Sequence, residues 1–173
     1  QNTYPSWFYS IDQGATTMWE RWNSYDREHG FGDAGMNSFN HYAYGAIGQW
    51  MYERIAGLAP DPKDPGYKHF FIQPTPGGPL TSASAELQTP YGLAKVAWEW
   101  ADDRLTLAVI VPPNTSATAL LPSLGLATPV VQEAGRVVPV TRAGDRLRFD
   151  VQPGSHRFEL VSDDRDDARA EER

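Results

Sequence analysis

The apolar residues of this chain change their spacing near residue 75. Before that point they recur every three or four residues, the period of a helix. After it they alternate with polar residues, the period of a strand. The sequence therefore predicts an α+β chain in which helices come first and an antiparallel β-sandwich follows. We assign residues 1–75 to the helical part and its connector, 76–161 to the sandwich, and 162–173 to a disordered acidic tail.

Two helices are predicted in the first part. The segment Thr16–Trp22 has apolar residues at helical offsets behind a threonine that can cap. A longer helix is predicted over Phe39–Ala56. Asn37 or Ser38 is a suitable N-cap for it, and Gly57 is suited to its C-terminal end.

The second part reads as short strands separated by turn residues. Seven segments of this kind, at this spacing, are typical of an antiparallel sandwich. One more short strand is predicted at Tyr67–Ile72, inside the proline-rich connector 58–79. The seven segments are Leu80–Gln88, Gly92–Trp100, Arg104–Val111, Ser116–Leu121, Arg136–Val140, Arg146–Val151 and His156–Val161.

Two helices alone cannot bury the aromatic side chains of the first part. An apolar helix face must be buried against another element. Either the helices pack on the sandwich, or they are the end of a larger helical domain whose beginning lies outside this sequence. The aromatic residues concerned are Tyr4, Trp7, Phe8, Tyr9, Trp19, Trp22 and Trp50.

The composition excludes several classes of function. The 15 lysines and arginines face 22 aspartates and glutamates, a net charge of −7, so nucleic acid and an anionic membrane surface are poor partners. No apolar run approaches the roughly 18 residues of a membrane span. Cysteine is absent, the four histidines are scattered, and no glycine-rich phosphate loop occurs, so we expect neither a metal nor a cofactor. The sequence opens without a secretory leader, and cytoplasmic and secreted locations both stay open.

Glu20 is the first candidate for chemistry, because it stands in the run Gly-Ala-Thr-Thr-Met-Trp-Glu-Arg-Trp that ends at Trp22. Indole faces stack on the C–H faces of a pyranose, and a carboxylate beside them can bind hydroxyl groups or activate water. The alternative is that Glu20 pairs with Arg21 or another surface cation and that the tryptophans belong to the core.

His41 is the second candidate, in the run Ser-Phe-Asn-His-Tyr-Ala-Tyr-Gly that begins at Ser38. The alternative here is a helix cap followed by a buried histidine that bonds to a backbone carbonyl. Further acids near these two motifs are most simply read as solvated loop residues: Asp12, Asp26, Glu28 and Asp33.

The two motifs, in this order and at this spacing, resemble the C-terminal part of bacterial α-L-rhamnosidases of glycoside hydrolase family 78. The resemblance covers roughly residues 4–112. It continues through Trp50, Gly57, Pro65–Lys68, Ile72–Pro74 and Thr89–Gly92. The later strands resemble the sandwich of that family only in their pattern.

The resemblance implies an (α/α)6 barrel followed by a β-sandwich, and hydrolysis of terminal α-L-rhamnosides with inversion at the anomeric carbon. It implies that Glu20 is the general base and that His41 contacts the rhamnose. The family's general acid, and most of its sugar contacts, lie upstream of this sequence. We therefore expect the C-terminal portion of a longer enzyme, inactive in isolation, whose partners are a rhamnose-containing glycoside and the rest of the parent catalytic domain.

A different class of function remains open for the sandwich. Sandwiches commonly host sugar binding, so the second part is a candidate carbohydrate-binding module or a purely structural cap. Its candidate stacking residues are Tyr91, Trp98 and Trp100.

Overall fold

The computed structural model describes residues 3–163 of the chain. The described residues divide into two compact units, the first ending at Gln49 and the second beginning at Trp50. The acidic tail predicted at 162–173 lies outside the described residues from residue 164 onward. Within the described residues, no helix is both long and apolar enough to cross a membrane.

The first unit has little regular structure. Helix α1, Trp7–Asp12, begins after Ser6, whose side chain accepts a hydrogen bond from the N–H of Tyr9 at 3.2 Å. A two-residue hairpin follows, formed by β1 (Tyr25–Asp26) and β2 (Gly30–Phe31). The helix predicted at Thr16–Trp22 is absent, because two backbone groups of that segment, the carbonyl of Met18 and the N–H of Glu20, bond to residues 38–41 instead of to their own next turn.

The second predicted helix is present but shorter and less regular than Phe39–Ala56. It consists of a 3-10 turn at Ala43–Ala46, an α-helical turn at Ile47–Trp50 and a π-helical turn at Met51–Ala56. Its end was predicted correctly: Gly57 has a φ of 90°, the left-handed conformation that favours glycine at this position.

The second unit contains two β-sheets. The six-stranded sheet has the order β10-β9-β13-β7-β6-β5, and the five-stranded sheet has the order β11-β12-β8-β4-β3. All pairings are antiparallel except that between β4 and β8. The strands are β3 Leu58–Pro60, β4 His69–Ile72, β5 Ser82–Thr89, β6 Gly92–Ala101, β7 Arg104–Val111, β8 Ser116–Pro122, β9 Pro129–Glu133, β10 Arg136–Val137, β11 Thr141–Ala143, β12 Arg146–Val151 and β13 Gly154–Ser162.

One apolar core lies between the two sheets. Each long strand points alternate side chains into this core. The alternation of apolar and polar residues seen in the sequence therefore coincides with the alternation of buried and less buried side chains. This confirms the predicted antiparallel sandwich. The largest fully buried side chains come from both sheets: Phe70, Leu58, Ile72, Leu105, Leu107, Leu121, Leu147, Leu160, Val96, Val109, Val111 and Val131.

Each predicted strand overlaps an observed one, and the bounds differ by more than two residues in only one predicted segment. The segment predicted at Arg136–Val140 forms a strand only at Arg136–Val137, and a separate strand occupies Thr141–Ala143. The strands Leu58–Pro60 and Pro129–Glu133 were not predicted. Leu58–Pro60 lies in the segment 58–79 that was predicted to be a proline-rich connector.

Candidate functional site

Two loop segments of the first unit, residues 17–20 and 38–41, are joined by hydrogen bonds. The N–H of His41 donates to the carbonyl oxygen of Met18 at 2.8 Å, and the N–H of Glu20 donates to the carbonyl oxygen of Ser38 at 2.8 Å. The hydroxyl of Thr17 donates to the carbonyl oxygen of Phe39. This pairing places both sequence-predicted site residues, Glu20 and His41, on the same pair of segments.

The carboxylate of Glu20 is held on one side. Its Oε2 accepts the backbone N–H of Ser38 at 2.7 Å, at the short end of the ordinary range for an N–H···O hydrogen bond. Within residues 3–163, neither Arg21 nor any other cation forms an ion pair with Glu20, so the surface-pair alternative is wrong for this part of the chain. The other carboxylate oxygen, Oε1, makes no hydrogen bond to the described residues.

The ring of His41 has one nitrogen engaged. The N–H of Ala43 donates to its Nδ1 at 3.3 Å. A nitrogen that accepts a hydrogen bond carries no proton, so the neutral ring has its hydrogen on Nε2. Nε2–H is therefore a donor that a hydroxyl group can meet. The buried-histidine alternative does not hold, since the ring is only partly buried.

The two tryptophans that flank Glu20 have different environments. Trp19 is 9% exposed and packs edge-on against Phe39, with ring centroids 5.3 Å apart. Trp22 is 43% exposed and stacks on Tyr44 at 5.3 Å. One tryptophan of the motif is therefore core, as the structural alternative supposed, and the other presents an indole at the surface.

A depression of about 450 Å³ lies beside the Thr17 segment. Its aromatic wall is formed by four rings that contact one another at centroid distances of 5.2–6.4 Å. Glu20 and His41 do not line it. The four rings are Trp19, Tyr25, Phe31 and Phe39.

The other acids near the motifs have local roles in turns. Asp26 Oδ1 accepts the backbone N–H groups of His29 at 2.7 Å and of Glu28 at 2.9 Å. The His29 N–H is the main reason that the pKa of Asp26 lies below its usual value. Asp33 accepts the N–H of Gly35 at 2.8 Å. These bonds are typical of aspartate in tight turns.

The sandwich offers less aromatic surface than the sequence indicated. Trp98 is 2% exposed and its indole N–H donates to the carbonyl oxygen of Ile55 at 2.8 Å, so it is a core residue and not a stacking platform. Trp100 is partly buried against the same core. Tyr91 is exposed, with the ammonium of Lys68 5.1 Å from its ring centre.

Comparison with known proteins supplies the family. Residues 1–55 match the profile of the bacterial alpha-L-rhamnosidase 6 hairpin glycosidase domain, and residues 57–136 match that of the bacterial alpha-L-rhamnosidase C-terminal domain. The chain belongs to the bacterial α-L-rhamnosidase family. The predicted resemblance is thereby confirmed.

Individual relatives agree with the two profiles. An alpha-L-rhamnosidase of Formosa agariphila is 49% identical over 162 residues, which are 91% of this chain and 17% of that protein. The structure of Streptomyces avermitilis alpha-L-rhamnosidase complexed with L-rhamnose aligns at a TM-score of 0.76 and 44% identity, over 92% of this chain and 15% of that one. The structure of alpha-L-rhamnosidase from Dictyoglumus thermophilum aligns at a TM-score of 0.77 and 30% identity, over 94% of this chain and 18% of that one. This family member therefore spans less than a fifth of the length of these relatives.

Two parts of the site in this rhamnosidase-family chain escaped the sequence reasoning. The donor that holds Glu20 is a backbone N–H, which no side-chain pattern reveals. The Thr17 hydroxyl meets a carbonyl 22 residues away, and a single sequence gives no signal for such a pair. Among residues 3–163 there is no cluster of three or more metal-binding side chains.

Proposed function

We propose that this chain is the C-terminal part of a glycoside hydrolase that releases terminal α-L-rhamnose with inversion, and that Glu20 is its general base. The observation that carries the proposal is the Ser38 N–H bonded to Oε2 of Glu20 at 2.7 Å. This bond fixes the carboxylate in one orientation and leaves its other oxygen open. A general base needs both a fixed position and a free lone pair.

The chemistry follows from that arrangement. Inverting glycosidases use two carboxyl groups roughly 6.5–9.5 Å apart, with a water molecule between one of them and the sugar. Glu20 takes a proton from this water while the water oxygen bonds to the anomeric carbon. The bond from that carbon to the leaving oxygen breaks, and a carboxylic acid on the rest of the parent enzyme protonates the leaving oxygen.

His41 binds the sugar in this proposal. Its Nδ1 accepts the N–H of Ala43, so its Nε2–H is the group that donates to a rhamnose hydroxyl. Because the backbone N–H of His41 bonds to Met18, the imidazole and the Glu20 carboxylate are held by the same loop pairing. Sugar and base are then oriented by one local structure.

The rest of the proposal concerns the parent protein. Residues 1–75 are the end of an (α/α)6 catalytic domain with its connector, and residues 76–161 are the C-terminal sandwich. Large apolar side chains that remain exposed in the first unit support this, because a monomeric surface rarely presents so many together. They include Phe8, Ile11, Phe31, Met36 and Tyr42, of which Tyr42 is 82% exposed.

The test is Glu20→Gln in the full-length enzyme that contains this chain, assayed on an aryl α-L-rhamnoside. We expect the rate to fall by about 10²–10⁴-fold, with an unchanged thermal midpoint. Glu28→Gln is the matched control, since Glu28 is an exposed loop acid, and we expect it to keep the wild-type rate. A Glu20→Gln enzyme that retains near wild-type turnover would show that another group is the base.

Two further measurements complete the test. Proton NMR of the first product must show the inverted anomer of rhamnose, and the retained anomer would contradict the proposed role of water. The isolated chain must show little or no turnover, because it lacks the proposed acid. Turnover by this chain comparable to that of the full-length enzyme would overturn that part of the proposal.

A further inference from the structure

We propose that Thr17 is a positioning residue that keeps Glu20 in its working orientation. The inference rests on the proposed function of Glu20. In this proposal Thr17 acts through the position of Glu20 and not on the substrate itself. Its hydroxyl donates to the carbonyl oxygen of Phe39, on the segment opposite Glu20.

The geometry of the paired segments makes this bond decisive. The backbone links are His41 N–H to Met18 and Glu20 N–H to Ser38, and they hold the two ends of the pairing. Phe39 lies between Ser38 and His41 on its segment, and its carbonyl oxygen accepts the hydroxyl of Thr17, which directly precedes Met18 on the other segment. This bond restricts rotation of the peptide group between Phe39 and Asn40 and so limits twisting of the backbone of residues 38–41. The Ser38 N–H is thereby kept directed at the Glu20 carboxylate.

The hydrogen bond of the Thr17 hydroxyl can be removed without disturbing the packing of the two segments. Thr17 is exposed, so replacing its hydroxyl by a methyl group removes one hydrogen bond and little else. The contact of Trp19 with Phe39, at a centroid distance of 5.3 Å, remains in such a variant and keeps the segments together. We therefore expect the Thr17→Val variant to fold normally but to hold the Glu20 carboxylate in a less fixed orientation.

The neighbouring residue supplies a matched control. Thr16 is also exposed and forms no hydrogen bond among the described residues. Thr16→Val makes the same chemical change at a residue that is next to Thr17 and has no role in the proposal. A difference between the two variants then reports the bond to Phe39 and not the cost of an apolar surface side chain.

The experiment compares Thr17→Val, Thr17→Ser and Thr16→Val in the full-length enzyme, on an aryl α-L-rhamnoside. We expect Thr17→Val to lower kcat by about tenfold or more, with KM changed by less than about threefold, because misplacing a catalytic group by a fraction of an ångström costs on this scale. Thr17→Ser keeps the hydroxyl and should restore most of the rate. Thr16→Val should leave it unchanged.

A second arm places Thr17→Val in the Glu20→Gln background. If Thr17 acts through Glu20, its removal has no further effect once the carboxylate is gone. Losses of rate that add in the double variant would overturn the proposal. A Thr17→Ser enzyme as slow as Thr17→Val would also overturn it, and so would equal rates for Thr17→Val and Thr16→Val. These results are distinct from failure of the proposed function, which appears as a near wild-type rate for Glu20→Gln alone.

Discussion

The backbone N–H of Ser38 donates to Oε2 of Glu20 at 2.7 Å, and the N–H of Glu20 donates to the carbonyl oxygen of Ser38 at 2.8 Å. In a regular antiparallel pair the first of these bonds would go to the carbonyl oxygen of Glu20. Here the carboxylate takes its place. The proposed base is therefore part of the pairing that holds its own loop.

Because that bond uses the backbone of Ser38, the serine side chain is dispensable for it. We expect Ser38→Ala to keep the full-length enzyme within about threefold of the wild-type rate, since the lost bond from the Asn40 N–H to Ser38 Oγ, 3.2 Å long, is a weak local contact. Steady-state assay on an aryl α-L-rhamnoside measures this. A loss as large as that of Glu20→Gln would mean that the hydroxyl itself takes part in the reaction.

His41 is expected to act mainly on binding. His41→Ala removes the proposed Nε2–H donor and keeps the backbone bond to Met18, so we expect KM to rise by about tenfold, the value of one good hydrogen bond, with a smaller fall in kcat. Glu28→Gln is again the control, since Glu28 is an exposed loop acid. An unchanged KM for His41→Ala would contradict the proposed sugar contact.

The sequence predicted the sandwich better than the first unit, for a physical reason. In the sandwich, burial follows a period of two along each strand, and that period is visible in one sequence. In the first unit, residues 16–22 carry a helical pattern, yet the carbonyl of Met18 and the N–H of Glu20 bond to residues 38–41. Long-range pairing of this kind overrides local propensity and leaves no periodic trace.

The same contrast holds for the site. Glu20 and His41 were predicted from motif residues and family resemblance. The Ser38 N–H and the Thr17 hydroxyl were not, because their roles depend on which segments meet in space. Trp98 was named as a candidate stacking residue, but burial of the alternate residues of strand β6 places it in the core.

Trp98 provides a test of that correction. Its indole is 2% exposed and bonds to the carbonyl of Ile55, so we expect Trp98→Ala to lower the free energy of unfolding by about 3–5 kcal/mol. Urea unfolding measures the change, with Trp50→Ala as the control, because Trp50 is largely exposed. A variant of unchanged stability that lost affinity for sugars would restore Trp98 as a binding residue.

Gly57 is expected to tolerate no side chain. Its φ of 90° already disfavours other residues, and an added Cβ would lie 2.3 Å from the backbone nitrogen of Pro74. We expect Gly57→Ala to cost more than about 3 kcal/mol of unfolding free energy, against about 1–2 kcal/mol for Gly66→Ala, which has a φ of 77° and open space around it. Equal costs in urea unfolding would show that the Pro74 backbone yields easily.

We expect Asp61 to make the stability of the sandwich depend on pH in the acid range. The N–H of Lys63, 2.9 Å from Oδ1, and then the imidazole of His69, 2.8 Å from Oδ2, hold the pKa of Asp61 below its usual value despite partial burial, which acts in the opposite direction. A carboxyl group whose pKa is lower in the folded chain stabilises the fold at every pH above its unfolded pKa, about 3.9. That stabilisation is lost as the pH falls through the folded value.

We therefore expect Asp61→Asn to be less stable than the wild-type chain at pH 6, and the difference to shrink as the pH falls below about 4. Urea unfolding at several pH values from 6 to 2.5 measures the two curves. Asp64→Asn is the control, because the Asp64 side chain is exposed and forms no hydrogen bond or ion pair among residues 3–163. If the wild-type and Asp61→Asn curves stay parallel through this range, the contacts of Asp61 with Lys63 and His69 do not contribute to the acid sensitivity of the fold.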